Sequence, residues 1–98
     1  MRIPTNQILK QLNGDPYTRE VPGTATPAEV TLGFAVSNIL SLTKSDEPLR
    51  SFTLAQKFYA EPEVEVSAEE IVFIKKLITE SNVYIPYVTG SILSFFNV

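Results

Sequence analysis

The stretch Val64 to Ile78, VEVSAEEIVFIKKLI, constrains the fold of this chain more than any other. Apolar and acidic residues alternate through Val64, Glu65 and Val66, the period of a strand or an extended segment. Ser67 then stands where a helix N-cap belongs, and Glu70 follows three residues later, which spells a capping box. Val66 before the cap and Ile71 after it are spaced to pack as a hydrophobic staple. The pattern predicts an extended segment turning into a helix over 68–81. Ile71, Ile74, Leu77 and Ile78 face inward on that helix, and Lys75 and Lys76 face outward. Both lysines lie in its C-terminal half, where the macrodipole favours cations.

Around this anchor the remaining elements follow from periodicity and punctuation. Near the N-terminus, Asn13-Gly14 between apolar-leaning segments predicts a β-hairpin with arms at about 7–12 and 17–21. The adjacent apolar pair Ile8-Leu9 breaks the alternation, so a short helix over 6–12 is the competing reading. Pro22 to Pro27 is a loop. Leu32, Ala35, Val36, Ile39 and Leu40 then mark one face of a helix over 31–43. Thr26 with Pro27 and Glu29 could start it, but Thr31 is the preferred cap, because Glu29-Val30 can then extend the sheet. Pro48 fits the first turn of a helix over 48–60, with Leu49, Phe52, Ala55 and Tyr59 assigned to one face. A last helix, 86–96, carries Val88, Ile92, Leu93, Phe95 and Phe96. The expected fold is α+β, mainly α, with an N-terminal β-hairpin packed on four short helices.

The 98 residues predict a single domain, with 1–29 as hairpin and loop and 30–98 as a helical core. An apolar fraction of 44% and a charged fraction of 19% place the chain among globular rather than disordered sequences. No segment approaches the ~20 apolar residues needed to span a bilayer. The start, MRIPTNQILKQL, carries no long apolar run of the secretory kind. Neither a membrane nor a secretory route is therefore expected, and the protein is expected to be soluble and cytoplasmic.

The residue inventory argues against catalysis. There is no cysteine and no histidine, which removes the thiolate nucleophile, the commonest metal ligand and the usual general base at neutral pH. Ser37, Ser41, Ser91 and Ser94 lie on predicted helices with no histidine to activate them. Gly14, Gly23, Gly33 and Gly90 form no phosphate-binding loop. Glu61, Glu63 and Glu65 alternate and Glu69-Glu70 follow, but no calcium-loop spacing is present. In extended backbone, Glu61, Glu63 and Glu65 share the solvent face opposite Val64 and Val66. A non-enzymatic protein without metal or cofactor is expected.

Nucleic acid is not expected as a partner. Helices 49–60 and 68–81 are spaced like a helix-turn-helix pair, yet the second begins Ala68-Glu69-Glu70 and would aim carboxylates at phosphates. The eight basic residues are dispersed, whereas phosphate binding needs several on one face. The net charge of −3 is too mild for an acidic mimic of DNA.

Aromatic residues concentrate in the second half, and most belong in a core. The end of the chain carries a surplus. Phe95, Phe96 and Val98 cannot all face inward from a terminal helix, and Tyr84 and Tyr87 flank Pro86. Tyr84, Tyr87, Phe95, Phe96 and Val98 are therefore the candidate interface for a protein partner or a second copy.

One ordered set of residues carries a resemblance. It begins with Val30, Thr31, Leu32, Gly33, Ala35, Asn38, Ile39 and Leu40, followed by Leu54, Ala55, Lys57, Phe58 and Tyr59. Val64, Val66, Glu69, Glu70, Ile74, Lys75 and Lys76 come next, then Tyr87, Val88, Gly90, Ile92 and Leu93. Over residues 30–93 this order resembles small uncharacterised proteins of tailed bacteriophages and prophages. The resemblance implies a phage context and action in the bacterial cytoplasm or in a virion, and it carries over no catalytic or ligand residue. The expected function is that of a phage accessory protein acting by protein–protein interaction with a host or phage protein. A virion or assembly component working as a homo-oligomer is the alternative, and a small-nucleotide sponge is a further one.

Overall fold

Ser67 caps its helix as the spacing requires. In the computed structural model, which describes residues 2–20, 22–23 and 25–96, the Glu70 N–H donates to Ser67 Oγ at 3.2 Å. The Ser67 N–H donates back to Glu70 Oε1 at 2.9 Å. Val66 and Ile71, on either side of the cap, are both buried in the core. The helix they introduce runs Ala68–Glu80, one residue short of the expected end.

Among the described residues, four helices and four short strands follow one another in the order β1 (Arg2–Pro4), β2 (Thr18–Arg19), β3 (Ala28–Glu29), α1 (Leu32–Leu42), α2 (Pro48–Ala60), β4 (Glu63–Glu65), α3 (Ala68–Glu80) and α4 (Pro86–Ser94). The fold is α+β, mainly α. Helix α1 is the central element: α2, α3 and α4 all pack against it. Leu32, Ala35, Val36, Ile39 and Leu40 are buried, as their spacing requires, and Thr31 Oγ1 caps the helix by accepting from the Phe34 N–H at 3.2 Å. The last helix ends at Ser94, two residues before the expected boundary, and Phe95 and Phe96 lie in a turn beyond it.

The N-terminal hairpin is present but much shorter than expected. Its arms meet in one bridge, Lys10 with Pro16, closed by hydrogen bonds from the Gln11 N–H to Asp15 O and from the Tyr17 N–H to Leu9 O. Gly14 adopts φ +92 and no non-glycine residue among those described has positive φ. A two-residue type I′ turn on Asn13-Gly14, which needs positive φ at both positions, is therefore excluded. The loop instead spans Leu12, Asn13 and Gly14, with the Gly14 N–H donating to Gln11 O at 2.9 Å and Asn13 Oδ1 accepting from the Asp15 N–H at 3.0 Å.

The segments beyond those arms pair elsewhere. Ile8 bridges Thr31, and Thr18-Arg19 pair with Ala28-Glu29. At the junction three backbone hydrogen bonds close a ring: Leu9 N–H to Val30 O, Val30 N–H to Tyr17 O, and Tyr17 N–H to Leu9 O. Residues 5–7 have a different task. Gln7 O accepts from the Leu32 N–H at 2.7 Å and Thr5 O from the Gly33 N–H at 2.9 Å. With the Thr31 cap, this provides partners for first-turn donors of α1 that no helix can satisfy internally.

Strand β1 pairs antiparallel with β4, in the register Arg2 with Glu65, Ile3 with Val64 and Pro4 with Glu63. Ile3 and Val64 are buried, while Arg2, Glu63 and Glu65 face solvent, the alternation of a half-buried strand pair. The buried apolar residues of helices and strands form one contiguous cluster.

Candidate functional site

Helix α2 corrects one sequence expectation and thereby reveals an exposed apolar surface. Its buried residues are Ser51, Leu54, Ala55 and Phe58. Leu49, Phe52 and Tyr59, expected inward with Ala55, are instead 76%, 59% and 69% exposed. The helical repeat places residues 49, 52, 56 and 59 on one side of the helix. Three large apolar side chains and Gln56 therefore line the outer side of α2.

Beside this ridge the α1–α2 seam opens into a groove of about 490 Å³, walled by Leu40, Ser41 and Lys44 on one side and Phe52, Ala55 and Gln56 on the other. Small residues at Ser51 and Ala55 let the two helices approach closely. Arg50 occupies the opposite side of α2, where its Cζ lies 5.5 Å from the ring centroid of Phe73 on α3 and its Nη1 lies 3.6 Å from Glu47 Oε2. The ridge itself therefore carries no formal charge at residues 49, 52, 56 and 59.

The C-terminal candidates do not form one patch. Phe96 is 0% exposed and packs on Phe58 with ring centroids 6.1 Å apart, so it is a core residue and not a surface one. The turn after α4 is what allows this, since it swings Phe96 inward once the helix has stopped. Phe95 is half-buried against the core. Tyr84 is also half-buried, and its hydroxyl accepts from Asn38 Nδ2 at 3.2 Å. Tyr87 remains at the surface at 45% exposure, near the exposed Ile85. Val98 lies outside the described residues.

The acidic run behaves as its alternation predicts. Glu61, Glu63 and Glu65 are exposed, and Val64 and Val66 are buried. Arg2 bridges two of the carboxylates, with Nε 3.3 Å from Glu65 Oε2 and Nη1 3.8 Å from Glu63 Oε2. All three side chains are well exposed, so such pairs add little stability. Among the described residues no group of three or more acidic side chains converges as a metal site. Nor, among them, is any helix long and apolar enough to cross a membrane.

Comparison with known proteins finds no matching family model, no matching curated sequence and no matching solved structure. The functional reading rests on the geometry of the chain itself.

Proposed function

We propose that this protein is a non-enzymatic interaction module, a phage accessory protein that binds a host or phage protein through the outer face of α2. The observation that carries the reading is the exposure of Leu49, Phe52 and Tyr59 on one side of a well-packed helix. Large apolar side chains held in water on a rigid element are what an interface core requires. Burying each is worth roughly 1.5–3 kcal/mol, the scale of an anchor set rather than of a whole interface. Their spacing matches helix-in-groove recognition, in which one helix face supplies anchors at successive turns. The partner's complementary surface is apolar and carries no dense charge, because the ridge has none to match. Of the C-terminal candidates only Tyr87 is well exposed, and it is not among the residues lining the α2 groove.

Site-specific photocrosslinking in bacteria producing the protein tests this reading. A crosslinking residue is placed at position 52, at position 59 and, as a control, at the exposed position 76 on α3. A single partner species captured at 52 and 59 but not at 76 is the expected result. Crosslinks joining only copies of this chain would replace the reading with self-assembly. No product above the control at either position would overturn it.

A further inference from the structure

A second cleft, away from the α2 ridge, combines one cationic side chain with apolar walls. It lies between β2, the first turns of α1 and the 83–85 turn, and has a volume of about 510 Å³. Arg19 enters it from β2, and Phe34 and Asn38 from α1. Val83 and Tyr84 enter from the turn and Val88 from α4. The Arg19 Cζ sits 3.9 Å from the centroid of the Phe34 ring, so the guanidinium is held against the aromatic face.

Two donors beside this cleft have no acceptor among the described residues. Arg19 Nε is buried without a hydrogen-bond acceptor. No carboxylate among the described residues lies within ion-pair distance of its guanidinium. A partly buried guanidinium ordinarily has such a partner, because desolvating the charge without one is costly. The Tyr84 hydroxyl accepts from Asn38 Nδ2 but donates to no described residue, so its proton is also free. Val30, Phe34, Val83 and Val88 supply the apolar walls, and Thr18 and Glu20 the polar ones.

From this geometry we infer that the cleft is a binding site for an amphipathic monocarboxylate, with Arg19 and Tyr84 on the carboxylate and the apolar walls around its body. The charge balance selects a monoanion. Arg19 is the single basic residue among those lining the cleft, and the exposed Glu20 at its edge disfavours ligands with two or more negative charges. The carboxylate can belong to a free organic acid or to the C-terminus of a peptide, since both present the same group. The inference is independent of the α2 surface.

Amide chemical-shift titration of the intact chain at pH 7 tests it with two matched pairs of probes: 4-phenylbutyrate against 4-phenylbutanamide, and acetyl-Ala-Val-Phe with a free C-terminus against the same peptide amidated. Shifts clustered at residues 17–20, 34, 38 and 83–85 are expected. The acid should bind ~10-fold more tightly than its amide, the scale of one charge-assisted contact. Response to the small acid alone assigns the site to free acids, and response to the peptide alone assigns it to chain termini. Arg19→Gln should remove the preference for acid over amide, and Tyr84→Phe should reduce it. Equal binding of acid and amide by the unmodified protein, or shifts outside this cleft, would overturn the inference whether or not the variants fold. Retention of the acid preference by a folded Arg19→Gln protein would overturn it as well.

Discussion

Gly33 is where three distant parts of the chain come within backbone contact. A Cβ at this position would stand 2.4 Å from Phe58 O and 2.6 Å from Thr5 Cβ. The first is a backbone oxygen near the end of α2. The second belongs to a residue whose own carbonyl is hydrogen-bonded to the Gly33 N–H, so neither can move aside cheaply. Alanine is the better helix former by ~1 kcal/mol, and propensity alone predicts that Gly33→Ala stabilises α1. The steric argument predicts the opposite, a net loss of about 2–3 kcal/mol from overpacking. A lowered urea midpoint would bear this out, and an unchanged or raised one would mean that α1 sits farther from Thr5 and Phe58. Nothing in the sequence around Gly33 announces this role, because the atoms that forbid a side chain come from positions 5 and 58. Ser67 is the contrasting case: its partner Glu70 is three residues away, and the interaction was legible from spacing alone.

Helix α2 shows where periodicity runs out at the scale of an element. Its boundaries, 48–60, match the expectation because Pro48 at the first turn and Glu61-Pro62 after the last are local signals. Its inward face does not match. Leu49, Phe52, Ala55 and Tyr59 recur at helical spacing, and so do Leu54, Ala55 and Phe58. A helix with two apolar stripes can be packed either way round, and the choice is made by the neighbours. Here α1 takes the stripe with the small residues Ser51 and Ala55, which allow close approach, and Phe58 reaches Phe96. The Phe52 stripe is left outside. Two aromatic substitutions on this helix should therefore behave very differently. Phe52→Ser should leave stability within about 0.5 kcal/mol, as for other surface changes. Phe58→Ala should cost about 3–5 kcal/mol. Thermal unfolding of both variants checks the pair, and a large loss from Phe52→Ser would reverse the assignment of faces. Phe96, one of the C-terminal candidates, departs from its expected surface position for a related reason. The surplus of aromatics was real, but the turn that buries Phe96 lies beyond any periodic signal.

At the scale of the whole molecule, the antiparallel pairing of β1 with β4 joins the start of the chain to the segment between α2 and α3. Residues 2–4 lie outside the expected hairpin arms at 7–12 and 17–21, and their partner comes from far along the chain. Ile3 lies opposite Val64, and both side chains are buried in the cluster that α1, α3 and α4 also enter. Closing so long a stretch of chain adds little entropy cost beyond that of a shorter loop, because the cost grows only logarithmically with length. Burial of two branched apolar side chains on facing strands can offset it. The cross-strand partners should then be energetically coupled. Ile3→Ala is expected to cost about 2–5 kcal/mol and Val64→Ala somewhat less, as large-to-small changes in a core. The double variant should lose at least ~0.5 kcal/mol less than the sum of the two, because residues in direct contact do not add. Equilibrium urea unfolding of the wild type, both single variants and the double variant measures the coupling. Additivity within about 0.3 kcal/mol would mean that Ile3 and Val64 stabilise the fold independently, and that the N-terminal strand is an attachment to the helical core rather than part of its cooperative unit.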